Sequence, residues 1–536
     1  MGSAAAPMAH MIDPKRDRLV IAASTLGTVF EWYDFFVYGT LAAIIGHQFF
    51  PAGNETAQFL LALATFGVGF CVRPLGAILF GYFGDRFGRK YTFLATIVLM
   101  GVATAGVGLV PSYAAIGFLA PVILVLLRIM QGLALGGEYG GAAIYVAEHA
   151  PPHRRGFYTS FIQSGVIGGF LLSLIVVLSS EWFVSQEAWE SWAWRIPFLF
   201  SIVLLAISLW MRLKLKESPV FQAMKEAGEV SRNPLSLSFS SWKNVRMMLV
   251  ALFGIAAGLT VIWYTAQFQA MYFLQNSLSV DDTSVRIVIG LGAAASLFWF
   301  VFFGWVSDRV GRKKPIVIGY ALMLATLFPL FHWMADAANP ALAAAMERAP
   351  VVVTGSDCRY NPFAGKQDTP CGQMLDALSK TGIAYTKVEA AQGSLVSVTI
   401  GGQEVTATDR AGLEDALVAA GYPLEKIQPG MANGAQLVLV IVLIGMLSGM
   451  TYGPVAALLV ELFPANIRYT SMSIPYHIGT GYFGGLLPVT SQYIVARTGD
   501  PFSGLWYTFV VVAIALTVSL FWLPETLKKE DRLSGF

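Results

Sequence analysis

The chain has 536 residues, of which 56% are hydrophobic and only 13% carry a charge. Soluble domains average about 25% charged residues, so the composition excludes an ordinary soluble domain. The formal net charge of +2 says little by itself. No Walker or Rossmann pattern is present, and nothing in the sequence indicates ATP use, a cofactor, a transition metal, a nucleic-acid partner or an enzymatic activity.

Apolar segments of about 20 residues recur along the chain, and that length crosses a hydrocarbon core of roughly 30 Å. A segment in lipid must satisfy its own backbone hydrogen bonds, so these segments are expected to be helices. The sequence therefore predicts an all-α polytopic protein in a lipid bilayer. Its twelve predicted transmembrane helices are 19–46, 57–81, 91–110, 117–146, 157–181, 194–213, 248–275, 284–305, 315–334, 435–460, 470–496 and 503–523.

Lysine and arginine residues are concentrated on one side of these predicted helices. They cluster in the N-terminus, in the loops at 81–90 and 304–313, in the linker at 211–247 and in the C-terminus. By the positive-inside rule both termini are expected to be cytoplasmic. The predicted divisions are a cytoplasmic N-terminus (1–18), an N-terminal six-helix bundle (19–213), a cytoplasmic linker (214–247), helices seven to nine of a C-terminal bundle (248–334), an extracytoplasmic insertion (335–434), helices ten to twelve (435–523) and a cytoplasmic tail (524–536).

One ten-residue loop occurs twice, as GYFGDRFGRK at 81–90 and as GWVSDRVGRK at 304–313, an offset of 223 residues. Duplicated halves are typical of transporters that open to one side of the membrane at a time. The aspartate of each copy can accept hydrogen bonds from arginine and backbone groups at helix ends, so the loops are predicted to gate transport. The alternative is that their basic residues only fix the topology. The predicted gating residues are Gly81, Asp85, Arg86, Gly88 and Arg89 in the first copy, and Gly304, Asp308, Arg309, Gly311 and Arg312 in the second.

A second pair of matching segments, beginning at Gly136 and Gly449, has an offset of 313 residues. The second half therefore contains about 90 additional residues. The polar composition of 336–433 places them there, between predicted helices nine and ten and on the external side. This insertion is predicted to be a small α/β module with a strand at 350–355, helices at 371–383 and 409–423, and a hairpin with a Gly-Gly turn at 394–408.

Two of the three cysteines, Cys358 and Cys371, lie in this module. An external, oxidising location favours a disulfide between them. The alternatives are two unpaired thiols or a metal site. The third, Cys71, lies in the second predicted helix and is expected to be a small core residue.

Six sequence segments together resemble the metabolite:proton symporter family of the major facilitator superfamily. They are EWYDFFVYG (31–39), RPLGAILFGYFGDRFGRK (73–90), RIMQGLALGGEYGGAAIYVAE (128–148), WRIPF (194–198), KESPVF (216–221) and ELFPANIRYT (461–470). That family includes carriers of 2-oxoglutarate, citrate, shikimate and proline or betaine. The resemblance covers the chain outside 336–433, and it implies twelve helices in two pseudo-symmetric six-helix bundles.

Several ionisable residues lie inside the predicted membrane helices of the N-terminal half. A charge at a helix centre costs at least about 2.5–3.5 kcal/mol on insertion scales, so such a cluster implies a use. By helical spacing Glu31, Asp34 and Tyr38 share one face, and Arg128, Gln131 and Glu138 share another. The predicted proton-coupling residues are Asp34, Glu31, Glu138 and His477.

Arg128 lies near the middle of its helix and is the predicted anion ligand. Its pairing with a carboxylate is expected to weaken when a substrate anion binds, so that the acid takes up a proton. The alternative is a permanent buried ion pair. Arg73, nearer the end of its helix, is either structural or functional. The other predicted substrate-binding residues are Tyr38, Gln131, Tyr264, Gln267, Tyr452 and Tyr476; the alternative for these side chains is simple helix packing.

The sequence therefore predicts proton-coupled uptake of a small carboxylate or zwitterion by alternating access. An exporter or a uniporter on the same scaffold is the first alternative. A second alternative, of another class, is a membrane sensor that uses the external module to bind its ligand. The module at 336–433 could also dock an external protein partner.

Overall fold

The structure is a computed structural model. It describes residues 14–51, 54–87, 89–137, 140, 143–144, 146–147, 150–213, 234–364, 367–391, 394–405, 410–464 and 467–527. Helices dominate, and a small four-stranded sheet lies between helices nine and ten of the bundle. The predicted fold class, a helical membrane protein with a small α/β insertion, is therefore confirmed.

The N-terminal half contains six membrane helices, several of which are interrupted or capped by short turns. Its helices are Pro14–Thr40, Ala42–Phe49, Glu55–Cys71, Arg73–Phe87, Arg89–Leu109, Tyr113–Ile116, Leu119–Gly136, Arg155–Trp182, Gln186–Ser191 and Ile196–Leu213, with 3₁₀ turns at Pro152–Arg154 and Ala193–Arg195.

The C-terminal half repeats this arrangement with more π-helical segments. Its helices are Pro234–Phe239, Trp242–Val250, Ala257–Tyr264, Ala270–Tyr272, Asp282–Val310, Lys313–Ala338, Met431–Tyr452, Val455–Leu462, Arg468–Ile478, Leu487–Thr498 and Leu505–Trp522, and its π segments are Ala251–Ala256, Thr265–Gln269, Phe273–Ser277 and Gly479–Gly485.

Nine helices in the described ranges are long and apolar enough to cross a membrane. The three remaining predicted spans are also helical. They lie at 14–49, at Arg89–Leu109 and at 468–498, where the π segment Gly479–Gly485 interrupts the helix. A π segment widens the helix locally and is common at functional sites.

Small residues bring the second and fourth membrane helices of the N-terminal half into close contact. A Cβ atom added to Gly132 would overlap the carbonyl oxygen of Gly69, and one added to Gly136 would overlap that of Arg73. Glycines spaced four apart allow this approach because they leave a shallow groove on the helix. The contact places Arg73 and Arg128, which lies one turn before Gly132, in adjacent layers of the protein interior.

The two halves meet along several helix pairs. Arg155–Trp182 packs along Asp282–Val310, and Glu55–Cys71 packs against the interrupted helix around Gly479–Gly485. The hydroxyl group of Tyr272 donates a hydrogen bond of 2.8 Å to the Gly39 carbonyl across this interface. The functional groups described below lie between these helix pairs.

The insertion begins with the helix Pro340–Arg348 and contains strands β1 (Val351–Gly355), β2 (Thr386–Glu389), β3 (Ser397–Ile400) and β4 (Gln403–Val405). The sheet order is β2-β1-β3-β4, with β2 parallel to β1 and the other pairs antiparallel. The helices Pro370–Thr381 and Arg410–Ala419 complete the module.

Most elements of the module agree with the sequence prediction. The strand, the hairpin and both helices are present, and Gly401 and Gly402 have φ values of 61° and 80°, as a tight Gly-Gly turn requires. Strand β2 was not predicted. Its four residues, TKVE, lie at the sheet edge and are largely exposed, so no apolar alternation marks them.

We expect Gly132→Ala to destabilise the protein, because its new methyl group would overlap the Gly69 carbonyl and force the two helices apart. Overpacking of this kind costs about 1–3 kcal/mol. Thermal unfolding of purified protein, followed by tryptophan fluorescence, should show a melting temperature several degrees lower. Gly290→Ala is the matched control, since the nearest atom to its added Cβ would be 3.6 Å away. Equal melting temperatures for the two variants would contradict this helix contact.

Candidate functional site

Two fully buried arginines form the centre of the candidate site. Arg128, on Leu119–Gly136, is 0% exposed, and Arg73, at the start of Arg73–Phe87, is 1% exposed. The glycine contact between their helices holds them close together. Burial of two cations in a membrane interior is costly unless other groups compensate for the charge.

Aromatic rings and one amide compensate for the Arg128 charge. The guanidinium carbon lies 4.2 Å from the ring centre of Phe35 and 4.4 Å from that of Tyr38. Its nitrogens donate to Gln131 Oε1 at 2.5 Å and to the Phe66 carbonyl at 3.3 Å. The Nε atom has no hydrogen-bond partner among the described residues. Arg128 therefore retains an N–H group that a bound anion can satisfy.

Arg73 is held mainly by aromatic rings. Its guanidinium carbon lies 4.5 Å from the ring centre of Phe70, 4.7 Å from that of Trp32 and 5.5 Å from that of Phe35. In the part of the chain that the structure describes, neither Nε nor Nη1 has a hydrogen-bond partner. The sequence left Arg73 open between a structural and a functional role. The structure places it beside Arg128, since both guanidinium groups lie over the Phe35 ring.

The C-terminal half contributes a polar and aromatic wall. Tyr264 and Gln267 are buried, and the Tyr264 ring lies 5.5 Å from that of Phe70. Neither the Tyr264 hydroxyl nor Gln267 Oε1 has a hydrogen-bond partner within the described ranges. Tyr264 lies within electrostatic range of both Arg73 and Arg128. The structure thus brings this tyrosine to the arginines.

Tyr452, Tyr476 and His477 are buried near Arg73. The Tyr476 and His477 rings lie 5.7 Å apart, and the Tyr452 ring lies 6.0 Å from that of Phe300. These three side chains therefore lie within electrostatic range of Arg73, whereas Tyr38 and Gln131 contact Arg128 directly.

Asp34 is buried at 5% exposure, and its Oδ1 atom has no hydrogen-bond partner among the residues described. The predicted direct pairing between Arg128 and a carboxylate is wrong for Asp34 in this conformation. Arg128 donates to Gln131, whose amide donates a hydrogen bond of 2.7 Å to Thr104 Oγ1. The Gln131 amide and the Thr104 hydroxyl each lie 3.5 Å from the backbone carbonyl of Asp34. The rings of Phe35 and Tyr38 occupy the faces of the guanidinium group. Glu31 is also buried, while Glu138 lies outside the described residues.

The second copy of the repeated loop forms a charged network between the halves, termed here the gate network: Asp308, Arg312, Glu461 and Arg155. The Asp308 carboxylate accepts bonds of 2.8 Å from the backbone N–H groups of Gly156 and Phe157, at the start of Arg155–Trp182. A carboxylate at this position satisfies unpaired N–H groups and complements the helix dipole. Asp308, in the C-terminal half, therefore caps a helix of the N-terminal half.

Arg312 connects the rest of this network. It is fully buried, donates to Asp308 at 2.5 Å, and pairs with Glu461 at 3.3 Å, which in turn lies 3.5 Å from Arg155. The glycines of the repeated loop are explained by steric constraints on the backbone. A Cβ on Gly304 would lie 2.7 Å from the Gly156 carbonyl, and Gly311 has a φ of 105° and faces the Glu525 carboxylate.

Not every predicted gating residue joins the gate network. Arg309 is exposed, and its guanidinium group lies 3.6 Å from the ring centre of Trp305. In the first copy of the loop, Gly88 and the side-chain positions of Gly81, Asp85, Arg86 and Arg89 lie outside the described part of the structure.

The predicted gating residues did not include Arg155, Glu461 or Glu525. Arg155 and Glu461 both belong to the second pair of matching segments. Their presence in that alignment was the sequence signal for a shared role. Glu525 follows the last membrane helix and accepts backbone hydrogen bonds from Arg312 at 2.8 Å and Lys313 at 3.1 Å. Because its partners lie more than 200 residues earlier, no local pattern indicates its role.

The chain is similar to several known transporters. It is 31% identical over 517 residues to the inner membrane metabolite transport protein YhjE of Escherichia coli K12, covering 93% of each chain. The chain belongs to the major facilitator superfamily. A family model described as "Sugar (and other) transporter" matches residues 19–238 of this transporter. The proline/betaine transporter of Salmonella typhimurium is 33% identical, covering 82% of this chain and 84% of its own.

The shikimate transporter of Escherichia coli K12 is 39% identical over 319 residues, covering 59% of this transporter and 72% of its own chain. Among solved structures, the proton:xylose symporter XylE bound to 6-bromo-6-deoxy-D-glucose superposes with a TM-score of 0.62 at 17% identity, over 97% of this chain and 100% of that one. The partially occluded inward-open XylE of E. coli gives a TM-score of 0.58 at 17% identity, covering 96% and 99%. These structures share the twelve-helix fold.

We expect Asp308→Asn to weaken closure of this transporter at the gate network, because a neutral amide cannot make two charge-assisted bonds to the helix start. Hydrogen bonds to charged groups contribute about 1.5–3 kcal/mol, so opening should become about tenfold more frequent or more. The measurement is the maleimide labelling rate of a Ser160→Cys reporter, buried beside Gly304, with Cys71 replaced by serine. Arg309→Gln is the matched control. Equal labelling rates in both variants would contradict the gating role of Asp308.

Proposed function

We propose that this transporter takes up a small carboxylate-bearing metabolite, either an organic anion or a zwitterion, together with a proton. The observation that carries the proposal is the pair of buried arginines, both within electrostatic range of Tyr264, with N–H groups that have no hydrogen-bond partner among the described residues. A carboxylate can accept two parallel bonds from one guanidinium group. Such a ligand would also compensate for charge that the aromatic rings balance only in part.

The names of the relatives agree with this substrate class. The printed substrates of two of them are shikimate and proline or betaine. Each of these compounds carries a carboxylate group, although their other parts differ. The shared group is the one that Arg128 and Arg73 are suited to bind, and the substrate-binding set also includes Tyr38, Gln131, Tyr264, Gln267, Tyr452 and Tyr476.

The proposed proton carriers are Asp34, Glu31, Glu138 and His477, with Asp34 foremost. Its carboxylate is buried within the N-terminal half, and the chain of bonds from Arg128 through Gln131 and Thr104 reaches the backbone of the same residue. Binding of an anion at Arg128 alters this chain. The coupling therefore works through a shared polar network rather than through a direct ion pair.

The proposed orientation has both termini in the cytoplasm and the α/β module on the outer side of a bacterial inner membrane, with the divisions given above. The basic residues of the repeated loops support it through the positive-inside rule. In this orientation the gate network closes the cytoplasmic side, and Asp85, which matches Asp308 in the sequence repeat, is expected on the same side. The membrane potential contributes about 2.3 kcal/mol per charge per 100 mV, which makes proton-coupled uptake effective.

We expect Arg128→Lys to reduce affinity for a carboxylate substrate by about tenfold or more, because lysine lacks the planar fork and the stacking faces of arginine. The measurement is a thermal-shift and calorimetric screen of organic acids, amino acids and betaines on purified protein. Arg309→Lys, at an exposed arginine outside the site, is the control. Full affinity for the identified substrate in Arg128→Lys would exclude Arg128 as its ligand.

We expect Asp34→Asn to abolish substrate accumulation driven by a pH gradient while sparing exchange of substrate across the membrane. An amide cannot carry a proton, but it preserves the shape of the side chain. The measurement is uptake into proteoliposomes with and without a protonophore, and Asp282→Asn, at an exposed aspartate, is the control. Gradient-driven uptake by the variant at the wild-type rate would refute the coupling role, and a protonophore-insensitive wild type would indicate a uniporter.

A further inference from the structure

The inserted module is anchored mainly on the C-terminal half. The Tyr385 N–H donates 3.1 Å to the Gly499 carbonyl, and Lys387 Nζ donates 2.6 Å to the Arg497 carbonyl. Ile427 forms a bridge with Val280, before the helix Asp282–Val310. These contacts attach the module to the ends of helices seven, eight and eleven, so it is expected to move with that half.

One loop of the module crosses to the N-terminal half. Asn54, just before the helix Glu55–Cys71, donates from Nδ2 to the carbonyls of Pro362 at 3.1 Å and Ala364 at 2.8 Å. Asn54 is only 6% exposed, and its Oδ1 atom accepts the Ala57 N–H at 3.0 Å as a helix cap. The Asn54 side chain thus accepts a backbone N–H at its own helix start and donates to two carbonyls of the module.

The same loop is held from the opposite side by the C-terminal half. Phe363, between the two carbonyls that Asn54 binds, stacks on Tyr493 with ring centres 5.8 Å apart. Within the loop, Gln367 bonds to the backbone of Asn361, which fixes the loop shape. If the halves separate at this end, Asn54 must leave Pro362 and Ala364. We call these three residues the module latch.

A disulfide between Cys358 and Cys371 closes the loop that carries the module latch. Cys358 follows β1 and is partly exposed, whereas Cys371 is buried in the first turn of Pro370–Thr381. The last residue of β1 is Gly355, where an added Cβ would lie 3.2 Å and 3.3 Å from the two sulfur atoms. The bond therefore joins the strand end to the helix start, and Cys358 is the more exposed of its two residues.

The position of Cys371 favours cleavage by an external thiol. A helix N-terminus stabilises a thiolate, since the unpaired N–H groups and the dipole both favour negative charge. A more stable thiolate is a faster leaving group in thiol–disulfide exchange. Attack on Cys358, the more exposed residue of the pair, would expel the sulfur that the helix stabilises.

We propose that Cys358–Cys371 is a thiol-reactive site that controls the module latch. A thiolate of an external dithiol attacks Cys358 Sγ, the S–S bond breaks, and its electron pair leaves on Cys371 Sγ. The second thiolate of the reductant then attacks the mixed disulfide and releases Cys358 as a thiolate. The reductant loses two electrons and becomes a disulfide, and both cysteine thiolates equilibrate with protons from water.

Reduction is expected to weaken the module latch, because the disulfide limits the conformations of the loop between Cys358 and Cys371. Without that closure the 358–371 loop has more conformational freedom, and ordering it against Asn54 costs more entropy. The closed arrangement at the module end is then less favoured. The transporter should shift toward the state that is open on the module side.

The experiment measures the distance between the halves directly, so it needs no knowledge of the substrate. Thioether-linked spin labels are placed at Phe183→Cys and Val418→Cys, two exposed positions on the N-terminal half and on the module, with Cys71 replaced by serine. Double electron–electron resonance on the full chain reports the open fraction. The variants are Asn54→Asp and Asn54→Ser, which both keep the helix cap but lose the Nδ2 donors, and the pair Cys358→Ser with Cys371→Ser.

Loss of the two Asn54 bonds should raise the open fraction by at least about fivefold. Serine replacement of both cysteines, or dithiothreitol followed by thiol blocking, should raise it in the same direction. Glu55→Gln is the control, since it changes the charge at the same helix start through an exposed side chain. Wild-type distances in both Asn54 variants would overturn the latch. Wild-type distances after verified reduction would overturn its control by thiols.

Discussion

The burial of two guanidinium groups between helices in a membrane interior is the constraint on which the rest of the site depends. Such a charge is tolerated only where rings, amides or a ligand compensate for it. The aromatic residues of the first two helices supply faces for Arg128 and Arg73, and Gln131 supplies one acceptor. The N–H groups that have no partner among the described residues are the ones that the proposed carboxylate substrate would satisfy.

The two halves are joined at each end by a polar side chain that lies at a helix start. At one end the Asp308 carboxylate of the C-terminal half binds the N–H groups that begin a helix of the N-terminal half. At the other end Asn54 begins a helix of the N-terminal half and binds two carbonyls of the module. In both places a polar side chain at a helix start makes the contact: Asp308 accepts from two backbone N–H groups, and Asn54 caps its own helix while it donates to two loop carbonyls. Such contacts are strong when formed and are lost completely when the halves separate, which suits a two-state transporter.

The module provides a contact between the two halves that lies outside the membrane helices. It has its own small hydrophobic core, so it can remain folded while the halves move. Because it is anchored on the C-terminal half and reaches the N-terminal half through the disulfide-closed loop and the helix Pro370–Thr381, it adds a connection that the duplicated scaffold lacks. The scaffold thereby acquires a point at which chemistry outside the membrane can influence the equilibrium between its states.

The sequence by itself determined the class of the protein and much of its local structure. Its apolar segments, its repeated loop and the polar composition of the insertion predicted the helices, the duplication and most of the module, because each of these leaves a periodic or compositional pattern within a short window. Only the tertiary structure brought Arg73 next to Arg128, connected Arg312 to Glu461 and Glu525, and placed Asn54 against Pro362 and Ala364. These contacts join residues from distant parts of the chain. They depend on how helices pack around glycines and aromatic rings, and no local pattern records that packing.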